Sequence, residues 1–167
     1  TLGPIIHNQQ VIDDMSARGA EIIDSLEDAD KNSTIIIRTH GIPDGLLCEI
    51  KKSGRNYIDA TCPFVKKIHK IVSENSDNCF AVLIAGDDKH PEVMGIKSYA
   101  KCRTYIFKNN DELIDLLKNE DELCQKSIII VAQTTFSAKE WKFCKKNINL
   151  LCKKEKIFDT ICSATHE

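Results

Sequence analysis

The sequence predicts an α/β protein built from parallel sheets flanked by helices and divided into two similar lobes. Short β-branched runs end in Gly, Asp or Pro, and amphipathic segments of helical period separate these runs. Strands that alternate with helices in this way usually form parallel sheets with helices on both faces. The chain has 167 residues, of which 42% are hydrophobic, so it can fill one large core or two small ones.

Several short runs have the composition of strands. We expect strands at residues 21–24, 34–39, 56–60, 80–85, 104–107, 127–132 and 156–160. Helices fill the intervals, and the clearest of them follows Cys62. Pro63 suits the first turn of that helix, and Val65, Ile68 and Val72 recur at helical spacing to make one apolar stripe. The two lobes are expected to meet near Cys62.

A second amphipathic helix is predicted over residues 137–153. Its apolar stripe consists of Trp141, Cys144, Ile148 and Leu151. The chain has eight cysteines but no C-x-x-C pair, so we predict reduced thiols. Six of them are assigned to the core, because free Cys is among the most buried residue types. These six are Cys48, Cys79, Cys102, Cys124, Cys144 and Cys152.

Composition argues against several classes of protein. The formal net charge is −2, and the one lysine-rich segment, within residues 145–156, is predicted to be a solvated helix face, so no nucleic-acid partner is expected. No run approaches the roughly 20 apolar residues of a membrane span, and residues 1–6 lack the features of a signal peptide. We therefore expect a cytoplasmic protein that does not bind membranes. Its first residue is not Met and its last residues carry no helix stop signal, which suggests a piece of a longer protein.

Polar side chains collect where the predicted strands end. In open α/β sheets, ligands bind at the carboxyl ends of the strands. The polar segments are residues 39–41, 59–63, 86–92, 133–135 and 159–163, with His7 and Asn8 as a sixth. Loops at strand ends are polar in any case, and ordinary turn or cap roles account for Asp59, Thr61 and Asp159. They account less well for three of the five histidines and two cysteines at one edge, so we predict a shared functional site.

The two cysteines at strand ends are candidates for metal ligation. Cys62 directly precedes a helix that begins at Pro63, and the helix dipole there favours a thiolate. Cys62 is thus a metal ligand or a nucleophile, or else a small buried residue beside a helix cap. Cys162 follows the last strand, and only the fold can bring it near Cys62. Together the two thiolates would suit part of an iron–sulfur cluster.

Three histidines lie near Gly, Asn or Pro rather than in apolar stripes. They are His7, His40 and His90. Imidazoles that can be protonated, together with the hydroxyls of Thr134 and Thr135, suit an anionic diphosphate. Glu92 follows His90 in the same loop and is either a proton source or an acidic residue in a first helical turn. His69 lies inside the helix after Cys62 and is predicted to be structural or exposed to solvent.

Taken together, these motifs resemble those of the 4-hydroxy-3-methylbut-2-enyl diphosphate reductase family in their order and spacing. The motifs are His-Asn at 7–8, Thr-His-Gly at 39–41, Asp-Ala-Thr-Cys-Pro at 59–63, His-Pro-Glu-Val at 90–93, Gln-Thr-Thr at 133–135 and Ile-Cys-Ser-Ala-Thr at 161–165. The resemblance implies a trefoil of three α/β lobes around a central [4Fe-4S] cluster. It also implies a reductive dehydroxylation that gives isopentenyl and dimethylallyl diphosphates.

The resemblance also implies a role for each matching residue. Cys62 and Cys162 correspond to two of the three cluster ligands of the family, and Glu92 corresponds to its acid group. The substrate-binding positions are His7, His40, His90, Thr134 and Thr135, where either threonine can be the contact. The implied electron donor is a small carrier such as ferredoxin or flavodoxin.

The sequence departs from the family in two places. The first cluster cysteine of the family lies in a Gly-Phe-Cys element that has no match in this chain, and the third lobe would follow residue 167. We therefore expect a partial first lobe at residues 1–62, a second lobe at 63–162 and the start of a missing third lobe at 163–167. This fragment is expected to be inactive alone and to dimerise through an apolar surface that the missing lobe leaves bare.

Two alternatives remain open from the sequence. One is a zinc-dependent hydrolase site that uses Cys62, His90, Glu92 and Cys162 around the metal, with water in an open position. The other is a lobe without catalytic activity that binds a diphosphate through His7 and His40. Visible absorption after anaerobic addition of iron and sulfide separates the first alternative from a reductase, because zinc sites are colourless.

Overall fold

A computed structural model describes residues 1–6 and 8–162 and confirms the predicted α/β class. Two parallel sheets are flanked by helices. The strands are β1 (Ile35–Ile37), β2 (Tyr57–Asp59), β3 (Ala81–Ala85), β4 (Arg103–Phe107), β5 (Ile128–Ala132) and β6 (Glu155–Ile157). The helices are α1 (Gln9–Ala17), α2 (Asp44–Lys52), α3 (Pro63–Asn75), α4 (Pro91–Ser98), α5 (Asn110–Asn119), α6 (Asp121–Gln125) and α7 (Ala138–Leu151), with one 3-10 turn at Leu26–Asp28.

The smaller sheet pairs β1 with β2 in parallel, so that Ile36 lies opposite Ile58. Its core is a cluster of buried side chains, namely Leu2, Leu26, Ile35, Ile37, Ile42 and Ile50. Backbone pairing continues past the strand ends, because the Cys62 N–H donates to the Thr39 carbonyl at 2.9 Å. The loops that follow β1 and β2 are therefore held side by side.

The larger sheet has the strand order β4-β3-β5-β6, and all its strands are parallel. Every residue of β3 and β5 is buried, as expected for continuous apolar strands that are covered on both faces. Alternate side chains point to opposite faces: Leu83 packs in a cluster with residues of α5 and α7, and Val82 packs in a cluster with residues of α3 and α4. Helix α3 thus follows β2 in the chain but packs on the larger sheet.

Several local predictions are corrected by the structure. Residues 21–24 do not form a strand; Ile23 makes a single parallel bridge to Leu2, and the chain then enters the 3-10 turn, where the Asp28 carboxylate accepts the Ser25 N–H at 3.0 Å. The predicted core positions Leu151 and Cys48 are exposed. The stripes of α3 and α7 are otherwise confirmed, since each of their other members is buried.

The last strand also differs from its predicted position. It ends at Ile157, although residues 156–160 were expected to be extended. After Ile157 the Thr160 side chain takes over the pairing: its hydroxyl donates to the Ala132 carbonyl at 2.7 Å and accepts the Ala132 N–H at 2.8 Å. None of the helices in the two described ranges combines the length and the apolar content that a membrane span requires.

Candidate active site

The predicted site residues that the structure describes follow the carboxyl ends of the strands, as the sequence suggested. His40 follows β1, Cys62 follows β2, His90 and Glu92 follow β3, and Thr134 follows β5. The rings of His40 and His90 meet edge to face with their centroids 5.2 Å apart. The loops of the two sheets therefore come together at one edge.

Glu92 is the most enclosed ionisable group at this edge. Its side chain is 1% exposed, and both carboxylate oxygens accept hydrogen bonds from Thr134. The Thr134 N–H donates to Oε1 at 2.7 Å and the Thr134 hydroxyl donates to Oε2 at 2.8 Å. Burial raises the pKa of the Glu92 carboxyl above its ordinary value, although the hydrogen bonds from Thr134 act in the opposite direction. The arrangement holds a carboxyl group that can keep its proton in a fixed orientation.

The start of α4 explains how Glu92 reaches this place. His90 caps the helix, Pro91 occupies the first helical position, and Glu92 comes next. The His90 Nδ1 atom accepts the Glu92 N–H at 3.1 Å. In the neutral imidazole the proton then lies on Nε2, so that atom is a hydrogen-bond donor. One short segment thus fixes both the carboxyl group and the tautomer of the histidine beside it.

Cys62 and Cys162 are each tied to another site loop through the backbone. The Cys62 N–H donates to Thr39, and the Cys162 N–H donates to the Thr134 carbonyl at 2.8 Å. Cys62 is partly buried at the N-cap of α3, and Cys162 is buried at 7% exposure. Of the eight cysteines, these two are the ones that lie in the site loops. Their thiols suit an iron–sulfur cluster, which takes Cys ligands, and a further thiolate would have to come from elsewhere.

The alternative zinc site is not assembled. The residues described by the structure include no group of three or more His, Cys, Asp or Glu side chains placed to hold a metal ion. The four side chains of the zinc prediction, Cys62, His90, Glu92 and Cys162, are all among those residues. The hydrolase interpretation therefore gains no support from the geometry.

His69 is buried, so the prediction of a structural role holds and that of solvent exposure is wrong. The ring is 7% exposed and stacks on Tyr99 with centroids 4.3 Å apart. Burial lowers the pKa of His69 to about 4, so the imidazole is neutral at neutral pH. A side chain on Gly41, whose φ is +75°, would place its Cβ 2.7 Å from the Cε1 atom of His69. The turn that presents His40 therefore rests directly on this ring.

Gln133 is a site residue to which sequence reasoning gave no role, although the motif containing it was recognised. It is buried, and its amide links two loops: Oε1 accepts the Asp87 N–H at 3.3 Å, and Nε2 donates to the Thr135 hydroxyl at 2.9 Å. A Cβ on Gly86 would lie 2.9 Å from Oε1. The available signal in the sequence was a Gln directly after an apolar strand. An amide that becomes buried at such a position needs hydrogen-bond partners on neighbouring loops.

The aspartates at the strand ends have the structural roles that the sequence allowed. Asp59 accepts the Thr61 N–H at 3.0 Å and pairs with Lys66 at 2.8 Å. Asp159 accepts the indole N–H of Trp141 at 2.7 Å. Neither needs a ligand to explain it.

Two sequence predictions fall outside the part of the chain that the structure describes. They are the diphosphate contact at His7 and the start of a third lobe at residues 163–167. The neighbouring Asn8 is described, and its side chain caps α1 by accepting the N–H groups of Gln10 and Val11.

Comparison with known proteins shows the family to which this chain belongs. The model of the LytB protein family matches residues 1–167. The chain belongs to the LytB family. The LytB relatives include the 4-hydroxy-3-methylbut-2-enyl diphosphate reductase of Alkaliphilus oremlandii, which is 38% identical over 167 residues. The enzyme of the same name from a Thermoanaerobacter species is 40% identical over 172 residues. Each match covers 100% of this chain and 57% of the relative.

Solved LytB-type structures have the same fold. An (E)-4-hydroxy-3-methyl-but-2-enyl diphosphate reductase, described as the terminal enzyme of the non-mevalonate pathway, superposes with a TM-score of 0.79 at 35% identity, covering 99% of this chain and 57% of that one. The corresponding reductase from Plasmodium falciparum gives a TM-score of 0.80 at 29% identity, covering 98% and 51%. The present chain thus spans little more than half the length of these relatives.

Proposed function

We propose that this chain carries part of the active site of a reductase that converts (E)-4-hydroxy-3-methylbut-2-enyl diphosphate to isopentenyl and dimethylallyl diphosphates. The observation that carries the proposal is the buried Glu92 carboxyl, held at both oxygens by Thr134 beside the His40 and His90 rings. Membership of the LytB family and relatives that bear the name of this reductase support it.

Glu92 is the proton donor in this proposal. Reductive removal of a hydroxyl group consumes two electrons and two protons, and the oxygen leaves as water. A carboxyl group whose pKa is raised by burial keeps its proton closer to neutral pH and can release it to a leaving hydroxyl. Thr134 orients the carboxyl through its hydroxyl and its backbone N–H, so both carboxyl oxygens have fixed positions.

The histidines and one threonine bind the diphosphate in this proposal. The Nδ1 atom of His90 accepts the Glu92 N–H, so in the neutral imidazole the proton lies on Nε2, and His40 lies against this ring from the loop after β1. Because Thr134 is committed to Glu92, we assign the threonine contact to Thr135, which is exposed at the same edge. His7 is proposed as a further contact on the strength of its motif. Each donor favours an anionic ligand.

A [4Fe-4S] cluster held by Cys62, Cys162 and a third thiolate would supply the electrons and the Lewis acid for C–O cleavage. Cys62 lies at the N-cap of α3, and the first turn of a helix is a favourable place for a negatively charged group such as an iron–sulfur cluster with its thiolates. A ferredoxin or flavodoxin is the proposed electron donor, and the cytoplasm is the proposed compartment.

The organisation of the chain is also a proposal. We place a partial first lobe at residues 1–62, a second lobe at 63–162 and the beginning of a third at 163–167. The packing of α3 on the larger sheet supports a boundary near Cys62. The 167 residues alone are proposed to be inactive and to self-associate through apolar surface. A monomeric mass in sedimentation would contradict the self-association.

The decisive experiment compares Glu92→Gln with Glu112→Gln in the complete protein after anaerobic cluster assembly. Both are acidic residues in the first turn of a helix, but Glu112 is exposed at the start of α5. Glu92→Gln should keep the visible absorption of the cluster and lower kcat by about 10²–10⁴-fold, the usual contribution of a general acid. Glu112→Gln should match the parent protein. Full activity of Glu92→Gln would overturn the role of Glu92, and colourless protein that holds zinc would overturn the reductase.

A further inference from the structure

A pair of cysteines lies at the edge of the larger sheet opposite the candidate site. Cys79 precedes β3 by two residues and Cys102 directly precedes β4. Their Sγ atoms are 2.9 Å apart. Because β3 and β4 are parallel neighbours with Ala81 opposite Arg103, both cysteines lie at the amino ends of the strands. The loops that carry Glu92 and Thr134 follow the carboxyl ends, roughly 16 Å away along five-residue strands.

The backbone around this pair is held in place by other contacts. The Lys101 N–H donates to the hydroxyl of the fully buried Ser76 at 3.0 Å, and the Lys101 ammonium pairs with Asp77 at 2.9 Å. The start of β4 is thus fixed to the turn that follows α3. Because Ala81 lies opposite Arg103, Cys79 lies one position beyond the residue opposite Cys102. With strands about 4.8 Å apart and a rise of about 3.3 Å per residue, the two Cα atoms are about 6 Å apart, within the separation that disulfides span. The Sγ atoms must approach from 2.9 Å to about 2.05 Å to form a bond, a shift that rotation of the two side chains can supply.

We propose that Cys79 and Cys102 form a reversible intramolecular disulfide, with a hydroperoxide as oxidant, that joins the amino ends of β3 and β4. The bond would close a loop that contains β3 and α4, and with them His90 and Glu92. It would therefore hold the segment that presents the acid group without touching the site cysteines Cys62 and Cys162.

The chemistry balances with hydrogen peroxide. One sulfur attacks the O–O bond and becomes a sulfenic acid while water leaves; the second sulfur then attacks the first, forms the S–S bond and releases a second water. Two thiols lose two electrons in total, and one peroxide becomes two waters. The pKa of the Cys79 thiol is raised to about 12, chiefly by burial and then by the neighbouring Cys102. The Sγ–Sγ contact of 2.9 Å places the second thiol beside the first, so whichever sulfur is oxidised first has its resolving partner in place.

A second pair of neighbouring thiols provides an internal control. Cys124 and Cys152 are also neighbours, and Cys124 is partly buried, but Cys152 is buried at 7% exposure and burial raises its pKa to about 12. Cys79 and Cys102 are both only partly buried. Access for a peroxide thus favours Cys79 and Cys102 over this second pair.

The test treats the purified, reduced protein with hydrogen peroxide, blocks the remaining thiols by alkylation and maps the peptides without reduction. We expect one peptide that links Cys79 to Cys102, its disappearance on addition of a thiol reductant, and a rise in the unfolding midpoint of about 5–15 °C. Cys124→Ser should retain this link. Cys79→Ser and Cys102→Ser should each lose it, and dimedone should trap a sulfenic acid on the remaining cysteine in at least one of these two variants.

Three results would overturn the proposal. The first is complete alkylation of both thiols after peroxide treatment of the folded protein. The second is a Cys79–Cys102 link that forms no faster in folded protein than in guanidinium, because the folded geometry is what favours it. The third is a link that joins two different chains, which non-reducing electrophoresis detects.

Discussion

The two sheets differ in how far the described chain covers them. All residues of β3 and β5 are buried between helices, whereas all three residues of β2 are exposed, and Ile58 is 57% exposed. Glu92 and Thr134 follow the covered strands, but Cys62 follows the exposed one. The loop that carries Cys62 is held by α3, which packs on the larger sheet. One part of the candidate site therefore follows well-packed strands and the other follows a poorly packed strand. We expect the smaller sheet to open first.

The largest expected difference between the two sheets comes from replacing one isoleucine with alanine in each of them. Ile84→Ala, in the middle of β3, should lower the free energy of unfolding by about 2–5 kcal/mol because it leaves a cavity in a fully packed layer. Ile58→Ala, in β2, should change it by at most about 0.5 kcal/mol because the side chain is already exposed. Urea titration followed by far-ultraviolet circular dichroism measures both, because that signal covers the two sheets, whereas the single tryptophan, Trp141, packs only in the core of the larger sheet. Equal effects would show that β2 is as well packed as β3.

The free energy of unfolding should depend on pH through two buried groups, His69 beneath the Gly41 turn and Glu92 after β3. With its pKa lowered from 6.5 to about 4, His69 binds a proton in the unfolded chain that it does not bind in the folded chain between these values. Stability should therefore fall by about 3 kcal/mol as the pH is lowered through this window. Urea titrations at several pH values measure the slope, and His69→Gln should remove this component.

Glu92 has the opposite sign and serves as the control for that experiment. Its pKa is raised, so above the ordinary Glu pKa the folded chain holds a proton that the unfolded chain has released. Its contribution to stability falls as the pH rises through that region. Glu92→Gln should therefore steepen the loss of stability on acidification. If His69→Gln leaves the slope unchanged, the imidazole is not buried as described.

The smallest expected effect concerns the turn that presents His40. Gly41 and Gly54 both have positive φ, +75° and +69°, but only at Gly41 would a Cβ meet another group, 2.7 Å from His69. Both alanine variants carry the strain of a left-handed residue, and Gly41→Ala should be destabilised by about 1–3 kcal/mol more than Gly54→Ala because of the clash. Hydrogen exchange of the Ala60 and Cys62 amides, which bond across the smaller sheet, reports the local loss. Identical exchange in the two variants would rule out the contact with His69.

Much of the architecture follows from local patterns. The apolar runs of β3 and β5 and the stripe of α3 were recognisable because burial on both faces, or on one face, leaves a period in the sequence. The strand predicted at residues 21–24 is wrong because β-branched residues form strands only where a partner strand is available. Ile23 has a single bridge to Leu2. The prediction that Cys48 lies in the core is wrong because it relied on how often cysteines are buried in general. That frequency does not say on which face of α2 the residue lies.

The sequence by itself determined the class of fold and the candidate site residues, because polar residues that follow an apolar run mark the end of each strand. Only the tertiary structure decided which of those residues meet. Glu92 and Thr134 are 42 positions apart, and the adjacency of β3 and β5 joins them. Packing of α3 on the larger sheet buries His69 beneath the Gly41 turn, and the register of β3 with β4 places Cys79 against Cys102. Contacts of this kind depend on strand order and register, which local periodicity does not encode.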